Sequence, residues 1–152
     1  MSDPEWFDQP DDTGQPGLRF ACTMCGNCCT GPEGYVLFTD AEAVALAARL
    51  GLSVAEFIDR YTHETRRGRS LNEKPTEFGA DCVFLDREKV PGKAVCGVYE
   101  DRPAQCRTWP FWKSNLAGRW AWERAKRTCP GIDTGPRFTP LHIRTTRDIV
   151  DI

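Results

Sequence analysis

A chain of 152 residues, of which 40% are hydrophobic, has the size of one domain with a modest core. Its formal net charge of −2 argues against a strongly basic nucleic-acid-binding protein and against an acidic tail protein. The eight cysteines are the unusual feature of the composition. In a chain of this size they indicate either a set of disulfides or bound metal.

The cellular compartment indicates whether the cysteines form disulfides or bind metal. Residues 1–17 contain five acidic residues and no Lys or Arg, which is the opposite of a basic secretory leader. The apolar-rich run at residues 41–52 is far shorter than the ~20 residues that span a bilayer. We therefore expect a cytoplasmic protein without membrane contact, in which cysteines serve metal binding or catalysis more often than disulfides.

The chain begins with an acidic segment that is rich in Pro and Gly and has no apolar periodicity. Such a composition is typical of a flexible tail, although Trp6 and Phe7 could dock on the body of the protein. The sequence thus predicts a tail at residues 1–17 and a domain at residues 18–152.

Four cysteines follow within eight residues, with the spacing C-x-x-C-x-x-C-C: Cys22, Cys25, Cys28 and Cys29. A Cys-x-x-Cys turn lets two sulfur atoms point at one ion, and two such pairs overlap here. Neighbouring cysteines bridge to each other only with strain, so Cys28 and Cys29 are expected to face different partners or opposite sides of one cluster.

Two helices have the clearest boundary signals in the chain. Thr39 with Glu42, and Ser53 with Glu56, match capping boxes, and Gly51 between the helices matches a C-cap. The helices are short and their exposed faces are not basic enough to hold phosphates. We interpret them as packing elements that cover the cysteine site, in preference to a DNA-reading helix-turn-helix.

The second half of the chain predicts a loop and a first hairpin. Residues 62–80 are polar and irregular and predict a long surface loop. Two apolar runs, at residues 82–85 and 94–99, flank a polar Pro-Gly stretch and predict a β-hairpin that brings Cys82 close to Cys96.

A short helix carrying Cys106 and a second hairpin are predicted next. The aromatic-rich runs at residues 109–113 and 119–124 would form this hairpin, with Trp120 and Trp122 on one face. Thr139-Pro140 predicts the start of a terminal helix, because Pro is favoured in the first turn.

Thiolates are soft metal ligands, and this donor set favours zinc or iron over calcium or magnesium. Eight thiolates could form two closed Cys₄ zinc sites, or four could hold an iron–sulfur cluster and leave four for other roles. The candidate metal ligands are Cys22, Cys25, Cys28, Cys29, Cys82, Cys96, Cys106 and Cys129. Asp81, beside Cys82, is a candidate oxygen ligand or supporting partner, whereas His63 and His142 are expected at the surface.

The stretch from residue 100 to residue 129 has seven basic and three acidic residues. Its positive charge could balance metal-bound thiolates, or bind an anionic substrate or nucleic acid, or simply be solvated. The interleaved tryptophans do not decide between these, because aromatic side chains are first of all core residues.

Taken together, the cysteines and their neighbours resemble a known family. The residues that carry the resemblance are Cys22-x-x-Cys25-Gly26-x-Cys28-Cys29, Cys82-x-Phe84-Leu85, Cys96-x-x-Tyr99-x-x-Arg102-Pro103-x-x-Cys106-Arg107 and Pro110-Phe111. This pattern, across residues 20–131, is similar to the bacterial YkgJ-type cysteine-cluster family of zinc- or iron-chelating domains. A related cluster in the flagellin lysine methylases looks like an iron–sulfur site next to methyl transfer, but this chain lacks the additional length of such an enzyme.

The predicted fold is a small α+β domain with two N-terminal helices and short β-hairpins around a cysteine-rich metal centre. The leading predicted function is zinc or iron binding by thiolates from both halves of the chain. The alternatives are an iron–sulfur redox or methylation-linked protein, and a module that binds an anionic partner through residues 100–129. Nucleic acid is the less favoured partner, and no protein partner is indicated.

Overall fold

The computed structural model describes residues 3–31 and 33–151. Within these residues the α-helices are α1 (Asp40–Leu50), α2 (Val54–Tyr61), α3 (Ala104–Arg107), α4 (Lys113–Leu116), α5 (Arg119–Lys126) and α6 (Pro140–Arg147). The strands are β1 (Leu18–Phe20), β2 (Thr62–Thr65), β3 (Gly68–Leu71), β4 (Glu73–Thr76), β5 (Gly79–Cys82), β6 (Leu85–Asp86), β7 (Val95–Cys96) and β8 (Ile132–Phe138). This mixture confirms the predicted α+β class.

The chain divides into two compact units, and the first draws on Met1–Thr23 and Thr108–Ile152. Here β1 pairs antiparallel with β8, and α4, α5 and α6 surround a common core. Trp122 is fully buried in this core and stacks on Phe111, with ring centroids 6.0 Å apart. Phe7 is buried there too, and Trp6 packs against it. The mobility predicted for residues 1–17 stays a prediction.

The second unit falls within Met24–Arg107 and contains α1, α2, α3 and three two-stranded antiparallel hairpins. The pairs are β2 with β3, β4 with β5, and β6 with β7. The core that joins α1 and α2 to the hairpins includes Leu46, Phe57 and Leu71, and Cys82 and Cys96 pack against it. The two helices are therefore the packing elements that the sequence predicts.

Both predicted capping boxes are present. The Thr39 hydroxyl accepts a hydrogen bond from the Glu42 amide, and the Glu42 carboxylate accepts one from the Thr39 amide. Ser53 and Glu56 make the same reciprocal pair at the start of α2. Each box satisfies backbone donors that helix geometry leaves without a partner, so the helix starts are encoded locally.

The long surface loop predicted at residues 62–80 is wrong. These residues form the β2–β3 and β4–β5 hairpins, whose ladders pair Thr62 with Leu71 and Glu73 with Cys82. The polar composition concealed the strands, because the side chains facing solvent need not be apolar. Only a few positions, such as Thr62, Ser70 and Leu71, are buried.

The second hairpin, predicted at residues 109–113 and 119–124, is also wrong. This region forms α4 and α5, so Trp120 and Trp122 point in different directions instead of sharing a face. Trp120 is 63% exposed, whereas Trp122 is 0% exposed. Aromatic residues favour strands, but Ala121 and Ala125 let this segment bury a helical stripe, and burial decides the outcome.

The predicted hairpin after Cys82 is confirmed in a shorter form. Leu85 pairs with Cys96 and Asp86 with Val95, while Cys82 lies on the preceding hairpin. The terminal helix is confirmed as α6, in which the Thr139 hydroxyl accepts from the His142 amide. Within residues 3–31 and 33–151, no helix combines the length and the apolar character needed to cross a bilayer.

The helical form of α5 predicts unequal roles for its two tryptophans. Trp122→Ala should lower the free energy of unfolding by about 3–5 kcal/mol, because a large buried side chain is removed. Trp120→Ala, the matched exposed change, should cost about 0.5 kcal/mol or less. Urea unfolding of both variants measures the difference, and equal losses would contradict the helical assignment.

Candidate metal centre

The loop that carries the clustered cysteines is tightly wound. Gly26 adopts φ +78°, and a Cβ there would lie 2.6 Å from the Cβ of Ala94. Residues Asn27–Cys29 then form a 3₁₀ turn, in which the Cys29 amide donates to the Gly26 carbonyl at 2.9 Å. Only glycine combines this conformation with this close approach. The Gly26 position in the cysteine motif is therefore a backbone requirement of the loop.

The adjacent cysteines at the end of this loop interact directly. The Sγ atoms of Cys28 and Cys29 are 3.8 Å apart, and one thiol hydrogen-bonds the other. This contact lowers the pKa of Cys28 to about 7 and raises the pKa of Cys29. One of the two sulfur atoms is thus readily available as a thiolate, the form that binds metal.

Three further cysteines approach this pair from separate elements: Cys82 from β5, Cys96 from β7 and Cys106 from α3. The five thiols that act on one another electrostatically are Cys28, Cys29, Cys82, Cys96 and Cys106. They come from four segments of the unit within Met24–Arg107. The predicted proximity of Cys82 and Cys96 is confirmed, since Cys96 contributes to the raised pKa of Cys82.

Burial sets the protonation of these thiols. Burial raises the pKa of Cys82 to about 11, and it is also the main cause of the raised pKa values of Cys96 and Cys106. Neighbouring thiolates raise the pKa of Cys106 further. A low-dielectric environment disfavours several negative charges together. A bound cation would remove this penalty and displace the protons.

Two cations from the same unit act on the thiols. Arg102 lowers the pKa values of Cys28, Cys96 and Cys106, although these effects are smaller than those of burial or thiol contact. Its guanidinium group lies over the Tyr99 ring, 3.9 Å from the centroid, and its Nε donates to the Tyr99 carbonyl. Lys74 likewise lowers the pKa of Cys82, although the burial of this thiol outweighs it. Sequence reasoning named Arg102 as a possible counter-charge and missed Lys74, which only strand pairing brings near.

Asp81 is fully buried and both of its oxygen atoms have partners. Arg87 donates to Oδ2 at 2.8 Å and to Oδ1 at 3.1 Å, and the Thr30 hydroxyl also donates to Oδ1. The Arg87 hydrogen bonds are the main cause that lowers the pKa of Asp81 to about 2. With its oxygens engaged, Asp81 acts as a supporting partner of the cysteine loop: it ties Thr30, next to Cys29, to the strand that carries Cys82.

The remaining cysteines and the histidines lie in other surroundings. Cys25 is half-buried and, after Asp81, is one of the groups that contribute to the raised pKa of Arg87. Cys22, which follows β1, is exposed. Cys129 is buried in the core of the same unit as Cys22, the unit within Met1–Thr23 and Thr108–Ile152. His63 and His142 are exposed as predicted; the first hydrogen-bonds Asn72 and the second stacks on Phe138.

The donor set suits a soft metal ion. No disulfide joins any of the eight cysteines, all of which lie in the described residues. Thiolates at this density are typical ligands of zinc and of iron, and hard cations prefer oxygen. Among the described residues, no group of three or more Cys, His, Asp or Glu side chains has an arrangement that could hold a metal ion. The five clustered thiols are nonetheless the group best placed to supply ligands for one.

The comparisons with known proteins place the chain in a family. Residues 21–130 match the model of the CxxCxxCC family, described as a putative zinc- or iron-chelating domain. The match covers more than half of the chain and includes all eight cysteines, so the chain belongs to this family. No solved structure matches the fold.

The Asp81–Arg87 pair predicts a link between stability and the cysteine loop. Asp81→Asn should lower the free energy of unfolding by about 3 kcal/mol, because a buried charge-assisted pair loses one charge. Chemical denaturation measures this loss. Asp86→Asn is the matched control: this carboxylate, on the next strand, accepts hydrogen bonds from the nearby backbone amides of Glu88 and Lys89, and its loss should cost much less.

The raised pKa of Cys82 predicts a pH dependence of the metal-free protein. The unfolded chain loses this proton near the ordinary value of 9.0, whereas the folded chain keeps it up to about 11. Stability should therefore be retained below pH 9 and should fall as the pH rises through 11. Urea unfolding across this range should give a smaller fall for Cys82→Ser than for the wild type. Equal falls would contradict the burial of this thiol.

Proposed function

We propose that this member of the CxxCxxCC family is a cytosolic metal-binding protein that holds zinc or iron through cysteine thiolates. The observation that carries the proposal is the convergence of five thiols from four separate segments, close enough to perturb one another's pKa values. Holding so many buried thiols as thiolates would cost free energy unless a cation compensated their charge. The family description supports the same chemistry.

The thiols best placed as ligands are Cys28, Cys29, Cys82, Cys96 and Cys106. Cys25 lies on the same loop, three residues before Cys28, and is the next candidate. Cys22 and Cys129 belong to the unit within Met1–Thr23 and Thr108–Ile152 and complete the set of eight candidates that the sequence pattern provides. Because Cys28 acts electrostatically on Cys106, and Cys106 in turn acts on Cys29, the arrangement favours one shared centre over two sites that divide the adjacent pair.

When bound, the metal supplies a positive charge that stabilises the thiolates together. The chain's own residues would do the rest. Arg102 offsets part of the remaining negative charge, and Asp81 with Arg87 holds the cysteine loop against β5. Because the loop, two hairpins and α3 all supply ligands, metal binding would contribute directly to folding free energy.

An iron–sulfur centre is the alternative use of the same thiols, because such clusters are also held by Cys thiolates. It would place the protein in redox chemistry or in a methylation-linked role. Zinc in closed thiolate sites would favour a structural, storage or transfer role. The two alternatives differ in colour, in sulfide content and in metal identity.

Anaerobic purification with metal and sulfide analysis and a visible absorption spectrum distinguishes these alternatives. We expect tightly bound zinc or iron, lost together with thermal stability on chelation. Cys28→Ser and Cys29→Ser should each lose the same metal if one centre is shared, and Cys106→Ser should lose it too. Ala104→Ser, on the same helix as Cys106, removes no thiol and should keep it.

A protein that contains no zinc or iron after anaerobic purification, and binds neither when they are added, would contradict the proposal. So would a melting temperature that stays the same after exhaustive chelation. Loss of different ions in the Cys28 and Cys29 variants would reject the single shared centre and keep metal binding.

A further inference from the structure

The unit within Met1–Thr23 and Thr108–Ile152 contains a groove that the metal proposal does not use. Three arginines and two aspartates line it, from the N-terminal segment, β1, the start of α5 and β8: Arg19, Arg119, Arg137, Asp11 and Asp133. Its volume is about 180 Å³. None of these side chains belongs to the cysteine centre.

Both carboxylates in the groove are already neutralised. Asp11 accepts from the Arg137 guanidinium at 2.7 Å, and Asp133 lies 3.0 Å from the Lys126 ammonium. Asp133 also accepts from the Trp122 indole at 3.0 Å. Arg137 uses its other nitrogen on the backbone carbonyls of residues 15–17. These groups therefore form a structured wall and leave little negative charge to repel an anion.

The two remaining arginines are positioned without being neutralised. Arg19 donates its Nε to the Gly135 carbonyl at 2.8 Å, and within the described part of the chain its two terminal nitrogens have no hydrogen-bond partner. Arg119 lies over the Trp6 ring at 5.1 Å, and the Trp6 indole is itself anchored to the Leu116 carbonyl. Within residues 3–31 and 33–151, neither arginine has a carboxylate partner at ion-pair distance. The guanidinium groups of two positioned arginines thus line the same groove.

Charge and size together define the ligand that fits. Two guanidinium groups match a dianion, and their planar forks recognise the oxygen atoms of phosphate by paired hydrogen bonds. The groove is smaller than the roughly 300–1,000 Å³ of pockets that enclose drug-sized molecules. A small oxyanion, or the phosphate end of a larger molecule that extends into solvent, therefore fits best.

We propose that this groove is a phosphate-binding site in which Arg19 and Arg119 hold the anion. Arg137, with Asp11, keeps the N-terminal segment in place as one wall. No residue that lines this groove is a proposed metal ligand, so either proposal can fail without the other.

Isothermal titration of the purified protein with inorganic phosphate, diphosphate and ADP tests the site. We expect diphosphate to bind, and Arg19→Gln and Arg119→Gln each to weaken it by about tenfold, since each removes charge-assisted hydrogen bonds. Arg124→Gln is the matched control. Arg124 lies on α5 like Arg119, but its guanidinium group lies over the Trp120 ring, outside the groove. Its substitution should leave the affinity unchanged.

The three probes separate the two sources of a phosphate group. Binding of diphosphate without ADP indicates a free anion as ligand, and comparable binding of both indicates the phosphate end of a larger molecule. The metal content of all variants should equal that of the wild type, which excludes binding through the metal. Circular dichroism verifies that the variants are folded.

Absence of binding to the wild type at millimolar concentrations of all three probes would overturn the proposal. An equal loss of affinity in Arg124→Gln would also overturn it, because the binding would then be explained by non-specific attraction between the anion and the positively charged surface.

Discussion

The cost of ionising several buried thiols close together is the physical constraint that dominates the unit within Met24–Arg107. Four of the five clustered thiols, Cys29, Cys82, Cys96 and Cys106, prefer to be neutral in their surroundings, as their raised pKa values indicate. Cys28 differs, because its contact with Cys29 lowers its pKa to about 7. A soft cation would convert this repulsive group into an attractive one, so the metal-free and metal-bound forms should differ strongly in stability.

The rest of that unit serves to bring the thiols together despite this cost. Its apolar core between the two capped helices and the hairpins holds the strands that carry Cys82 and Cys96. The cysteine loop closes on the same region through the approach of Gly26 to Ala94, and through the hydrogen bond from the Ala94 amide to the Met24 carbonyl. The buried Asp81–Arg87 pair adds a polar anchor beside the loop. Packing, loop geometry and one ion pair thus together position the cysteine loop and the strands that carry Cys82 and Cys96.

The other unit has a different physical basis. Its core is aromatic, with Trp122 stacked on Phe111 and tied to Asp133 by its indole nitrogen. The acidic N-terminal segment is held by arginines, since Arg137 pairs with Asp11, and Arg144 and Arg147 pair with Glu5. These pairs consume most of the local charge. Of the three arginines that line the groove, Arg19 and Arg119 have no carboxylate at ion-pair distance within residues 3–31 and 33–151, and they are the basis of the proposed phosphate site.

The sequence by itself determined the features that depend on near neighbours. The capping boxes at Thr39 and Ser53, the terminal helix after Thr139 and the cysteine spacing of the family all rest on contacts within a few residues, which side-chain chemistry specifies directly. Features that depend on distant packing were decided only by the tertiary structure. The polar strands at residues 62–80 and the helix around Trp122 follow from which side chains the core accepts, and residue propensities do not contain that information. The gathering of Cys28, Cys82, Cys96 and Cys106 is of the same kind, because strand register and helix packing bring together thiols that are up to 78 residues apart along the chain (106 − 28).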